Sequence, residues 1–271
     1  MFLTFFHKHH LTVRVLPWLL VIAFLKYLLM HFEWQPIALS ALVTAAVSAD
    51  VFLLGFLIAG SLPEYKEAER LPGEVAASLD AITDECLILR ATKPTQPESV
   101  RCLEQLLALI QSIKQSLHKK ASTGDVMQCI RNLNESFAAF EPLTQANFIV
   151  RLKQEQQNIR RLMLRIRTIR EVAFVSTGYA IGEVFTLIIV TTLLLTSMGS
   201  TFVNFFFCLG LSYLLIYMIE LVKDLDNPFH YRPGISQHDE TDCTPIEAVE
   251  RKIRAEIQPK QRKTSRARAA R

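Results

Sequence analysis

Four long apolar runs constrain this chain more than any other feature. Crossing the hydrocarbon layer takes about 20 mostly apolar residues at a rise of about 1.5 Å each. Residues 15–32, 37–62, 172–197 and 201–222 meet that requirement. They come as two pairs. Glu33, Trp34, Gln35 and Pro36 separate the first two runs, and Met198, Gly199 and Ser200 separate the last two. Connections this short serve only to reverse direction, so the pattern predicts two helical hairpins. Half of the residues are hydrophobic while 21% are charged, a combination that here requires segregation rather than the periodic faces of an ordinary soluble domain. The expected fold class is therefore an all-α membrane protein. It has four transmembrane helices in two hairpins, 1–62 and 172–222, and a helical domain over 63–171.

Orientation follows from Lys and Arg, which accumulate on cytoplasmic flanks. Neither hairpin turn contains one. Lys8 and Arg14 precede the first span, and Arg160, Arg161, Arg165, Arg167 and Arg170 lead into the third. Both termini and the 63–171 domain are thus expected in the cytoplasm, with the chain a multi-pass protein of a plasma or bacterial inner membrane. Trp18 and Tyr217 then fall near the inner headgroups and Trp34 near the outer ones, where amphipathic rings are favoured. The first run reads as a retained span, since no small-residue cleavage pattern follows it and Lys26 interrupts it.

Pro94, Pro97, Gly124 and Pro142 divide the segment between the hairpins. Four helical stretches result: the second span continued past Pro63 towards Leu89, then about 97–118, about 125–140, and a last one from about Gln145 onward. In that last stretch Ile149, Leu152, Ile159, Leu162, Ile166 and Ile169 recur near helical spacing with no breaker before Val172, which predicts one helix running on into the third span. Its basic end is read as a stop against sliding into the bilayer, with anionic headgroups as the alternative partner. Residues 223–257 form a post-membrane segment in which Thr244, Pro245 and Glu247 stand in the order of a helix start. Residues 258–271, with Lys260, Arg262, Lys263, Arg266, Arg268 and Arg271, read as a disordered basic tail. Anionic lipid is its natural partner, and nucleic acid is not expected.

No phosphate-binding glycine loop, nucleophile elbow or metal-ligand cluster is evident, so an enzyme is not expected. Cys86, Cys102, Cys129, Cys208 and Cys243 show neither close pairing nor zinc-like spacing and read as reduced, buried thiols. His7, His9 and His10 read as part of the positive membrane flank. Within the spans, Lys26, Asp50 and Glu183 are the costly charges. Helical rise puts Lys26 about 9 Å from the outer end of span one and Glu183 about 17 Å from the inner end of span three, a similar depth in a layer of about 30 Å. The two are expected to pair. Asp50, nearly 20 Å from the outer end of span two by the same rise, is left without an assigned partner. Gly178 and Gly182 share one face of span three and suit close helix approach. Ser48, Phe52 and Phe56, four apart, form a stripe along one face of span two.

The run Val51-Phe52-Leu53-Leu54-Gly55-Phe56 resembles the neck segment of bestrophin channels, whose second helix lines the pore. Asp224-Leu225-Asp226-Asn227-Pro228-Phe229, just past the last span, resembles the acid-rich Pro-Phe segment that follows the last membrane helix in the same family. With the layout of hairpins around a helical domain, the resemblance covers roughly 16–234. It implies a homopentamer with one axial pore, narrowed at a hydrophobic neck and passing small inorganic ions. Carried over, Phe52 and Phe56 are neck residues. Ser48 takes the outer neck position, where bestrophins usually place a larger apolar side chain. Where bestrophins favour an Arg- and Trp-rich stretch after the neck, this chain reads Pro63-Glu64-Tyr65-Lys66-Glu67-Ala68-Glu69-Arg70. A ring of Phe gates by dewetting and turns electropositive edges to the pore, so small anions such as chloride are the expected cargo. No cofactor is required. Asp224 and Asp226 are the candidate calcium ligands, with Asp239, Glu240 and Asp242 as a second acidic run. A solvated acidic loop is the preferred reading of these, since calcium takes six or more oxygens from a defined loop. The competing reading of the whole chain is a non-conducting membrane scaffold whose cytoplasmic helices bind a partner.

Overall fold

The computed structural model describes residues 10–117, 122–171, 176–226, 229 and 243–257 of the 271-residue chain. Among them are eight α-helices: α1 (His10–His31), α2 (Ala41–Thr92), α3 (Glu98–Leu117), α4 (Thr123–Phe140), α5 (Ala146–Glu171), α6 (Ser176–Leu195), α7 (Thr201–Leu225) and α8 (Thr244–Ile257). Four helices, α1, α2, α6 and α7, are long and apolar enough to cross a membrane. The chain is an all-α membrane protein. Several readings fall outside the described residues: the joint at 172–175 between α5 and α6, His7 and His9, Asn227 and Pro228, the acids Asp239, Glu240 and Asp242, and the basic tail.

Two compact units divide the chain between Lys66 and Glu67 in α2 and again just before α6. The first holds α1, the N-terminal part of α2, α6 and α7. Its core gathers Ile22 of α1, Leu54 and Leu57 of α2, Ile189 and Leu193 of α6, and Cys208, Leu215 and Ile219 of α7. Ile37 pairs with Thr196 and Ala38 with Ser197 in a two-residue parallel ladder, joining the two hairpin turns. This moves the start of the second helix from the expected position 37 to Ala41, because the Ile37 and Ala38 backbone is committed to the ladder. The second turn is closed by Gly199, whose φ of 85° suits a residue without Cβ. Ser200 follows as the N-cap of α7, accepting from Val203 N at 3.4 Å.

The second unit holds α2 from Glu67, then α3, α4, α5, α8 and Phe229. Leu103, Leu106, Leu109, Ile110 and Ile113 recur at three- and four-residue steps and are all buried, as are Val126, Ile130, Leu133, Phe137 and Phe140 of α4. That spacing gives each helix one apolar face for the shared core. Ser122 caps α4, its Oγ accepting from Gly124 N at 3.1 Å while Asp125 accepts from Ser122 N at 3.0 Å. Arg165 of α5 donates twice to Glu67 of α2, at 2.7 and 2.6 Å, which holds the Glu67 carboxyl below its ordinary value. The last helix, α8, buries Ile246, Val249 and Ile253. Lys252 extends from it to Asp80 and Asp84 of α2, both at 2.6 Å, and Lys114 of α3 meets its Glu247 and Glu250 at 3.2 and 3.1 Å.

Candidate pore helix

Within the first unit, α2 has two unlike sides. Asp50 and Leu54 are fully buried, and Leu57 and Ser61 nearly so. On the opposite side Phe52 is 77% and Phe56 68% exposed, and Ser48 above them is exposed too. A step of 100° per residue accounts for the contrast, since Leu54 lies 200° around the helix from Phe52. Around this stripe the exposed residues of α2 are Thr44, Ala45, Ala49 and Ala59, with Leu42 and Leu62 at its two ends. The exposed residues of α1, α6 and α7 instead include Leu20, Phe24, Ile181, Leu187, Phe202 and Phe206. Ser48 turns its hydroxyl back onto the Thr44 carbonyl at 3.0 Å, which satisfies a polar side chain on an otherwise apolar stretch.

The buried side of α2 lies against α6 with an antiparallel register set by small and polar residues. Thr186 donates to Asp50 Oδ1 at 3.4 Å. One turn further, Gly182 brings α6 so close that a Cβ there would sit 3.2 Å from Leu57 and 3.5 Å from Leu54. The close approach expected of this glycine is thus made to α2, and also to Ile219 of α7 at 3.4 Å. Ser61 Oγ then lies 3.3 Å from the Tyr179 hydroxyl, which donates to Asp226 Oδ1 at 2.7 Å. Asp50 therefore has a partner that the sequence reading did not assign. Its Oδ2 has no hydrogen-bond partner among the described residues.

The expected Lys26–Glu183 pair is not formed. Lys26 is fully buried and donates to three backbone carbonyls, those of Leu193 at 3.1 Å and Leu194 at 3.0 Å in the last turn of α6 and that of Thr196 at 2.8 Å in the ladder just past it. Glu183 lies ten residues before Leu193, about 15 Å along the axis. It meets Lys223 of α7 at 2.8 Å instead. Lys223 also reaches Glu220 at 3.2 Å, and Glu220 meets Arg14 of α1 at 3.1 Å. The depth count failed because Lys26 lies level with the last turn of α6 rather than with its middle.

Of the post-membrane segment, Asp224 lies in the last turn of α7, and Asp226 caps the helix through its N–H to Val222 O at 3.1 Å. Phe229 is buried in the core of the second unit. Among the described residues no group of three or more His, Cys, Asp or Glu side chains comes together as a metal site. Asp224 and Asp226 supply two carboxylates, one of whose oxygens already accepts from Tyr179.

The architecture is that of bacterial bestrophin homologues. A point mutant of the bestrophin homologue from Klebsiella pneumoniae matches with a TM-score of 0.77 at 14% identity, over 91% of this chain and 100% of that one. A second point mutant matches at 0.76 and 15% identity, over 90% and 98%. The same homologue solved by zinc phasing matches at 0.73 and 15% identity, over 88% and 96%. No protein-family model and no curated protein matches the sequence. The chain has a bestrophin-like fold over nearly its whole length.

Proposed function

We propose that this chain is one subunit of an oligomeric, bestrophin-like ion channel whose pore wall is the exposed face of α2, with Phe52 and Phe56 as its hydrophobic neck and Ser48 at the outer neck position. The observation that carries the reading is the composition of that face. A helix face meant for lipid is rich in large apolar residues, as those of α1, α6 and α7 are. Between Leu42 and Leu62, which are 79% and 38% exposed, the α2 face is small and weakly polar except for two Phe rings one turn apart. Repeated around an axis in a homopentamer, those rings narrow the path and present electropositive edges to small anions such as chloride. The positive flanks favour cytoplasmic termini and a cytoplasmic second unit, in a plasma or bacterial inner membrane. Lipid surrounds the remaining faces of the four spans.

Ion flux into proteoliposomes tests this reading. Chloride flux exceeding sodium flux is expected from wild type, rising about tenfold in Phe52→Ala with Phe56→Ala as the dewetted constriction opens. Absence of flux from every well-folded variant, with or without calcium, would replace the channel by the scaffold reading.

A further inference from the structure

The contacts behind the neck contain a hydrogen bond that can run in either direction. Ser61 is 1% exposed, and its hydroxyl has one proton to give. Two acceptors stand within reach: the Leu57 carbonyl at 3.1 Å and the Tyr179 hydroxyl oxygen at 3.3 Å. The Tyr179 proton is directed at Asp226 Oδ1, 2.7 Å away. While Asp226 takes that proton, a bond between Ser61 and Tyr179 needs Ser61 as donor, which draws its proton off Leu57. When the Asp226 oxygen is withdrawn, Tyr179 donates to Ser61, and Ser61 keeps its bond to Leu57. One set of atoms thus has two hydrogen-bonded arrangements, selected by Asp226.

The switched bond lies at a sensitive place. A serine bonded back to the carbonyl four residues before it bends a helix. The carbonyl here is that of Leu57, the residue after Phe56. We propose that Tyr179 is a positioning residue for the neck, coupling Asp226 at the end of α7 to the bend of α2 beside Phe56. This rests on the reading of Phe52 and Phe56 as a neck. Thr186 and Asp50, about two to three turns away on the same α2–α6 contact, belong to the static part of the clamp and supply the comparison.

The test is chloride flux in proteoliposomes for Asp226→Ala, which removes the acceptor, alone and combined with Tyr179→Phe, Ser61→Ala or Thr186→Val, together with those single variants, each at matched oligomer size and thermal midpoint. Asp226→Ala is expected to change flux about fivefold in the wild-type background and not at all in the Tyr179→Phe or Ser61→Ala background. Thr186→Val is expected to leave the full Asp226→Ala response in place. A response to Asp226→Ala that is equal with and without the Tyr179 hydroxyl would overturn the coupling while leaving the channel intact. Measuring the Phe52 and Phe56 variants in the same series separates the two levels. If these leave flux unchanged, the neck itself is wrong and the coupling falls with it.

Discussion

Replacing Lys26 by methionine is expected to lower the unfolding free energy by about 4 kcal/mol, enough to prevent recovery of folded protein under mild heating. Methionine retains most of the apolar stem, so little packing is lost. What disappears is one ammonium bonded to the last-turn carbonyls of Leu193 and Leu194 and to the Thr196 carbonyl just past α6, between 2.8 and 3.1 Å. Carbonyls in the last turn of a helix have no partner within the helix, and a cation there also complements the helix dipole. Removing the charge saves the cost of burying it, but it strands three acceptors in the membrane interior, where no water replaces the bond. Stranding outweighs the saving because each charge-assisted bond is worth about 1.5–3 kcal/mol. A thermal midpoint in detergent equal to that of wild type would show that Lys26 is not the anchor of this corner.

Gly182→Leu is expected to cost about 3 kcal/mol, while Gly182→Ala costs about 1 kcal/mol or less. The added Cβ of alanine meets only the ends of Leu57, Ile219 and Leu54, at 3.2, 3.4 and 3.5 Å, and such side chains shift by a few tenths of an ångström. Leucine adds three further carbons to the same closed space and pushes α6 away from both α2 and α7. The displaced α2 also weakens the Thr186–Asp50 and Tyr179–Ser61 contacts on either side. Denaturant or thermal midpoints of the two variants check the size dependence. Equal losses for alanine and leucine would mean that the helices do not meet at Gly182.

The spans and the breaks between the helices were legible because they depend on local signals: runs of about 20 apolar residues and the positions of Pro94, Pro97, Gly124 and Pro142. The exposed Ser48–Phe52–Phe56 stripe was also legible, since a four-residue step fixes a helix face before any partner is known. Pairings between spans were not. Depth alone matches Lys26 to Glu183, whereas the structure satisfies Lys26 with backbone carbonyls, which carry no sequence signal. Ser61 and Tyr179 were missed for a related reason. A lone Ser and a lone Tyr near span ends look like interfacial residues, and only the antiparallel register of α2 on α6 makes them neighbours. That register could have been sought by aligning Asp50 and Ser61 with Thr186 and Tyr179, whose numbers sum to nearly the same value. The Ile37–Thr196 ladder stayed hidden because a two-residue pairing in short turns leaves no periodic pattern.

The most direct test of α2 as the pore wall is block of chloride flux by a charged thiol reagent in Phe56→Cys, with Phe206→Cys on the exposed face of α7 as the comparison. Wild type provides the background, since its own Cys86, Cys102 and Cys208 are buried and Cys129 and Cys243 half-buried. Flux through Phe56→Cys should fall at least about tenfold on modification, while Phe206→Cys, at a position 61% exposed, should conduct as before. Unchanged flux through modified Phe56→Cys, or equal block at both positions, would contradict a pore lined by this face of α2.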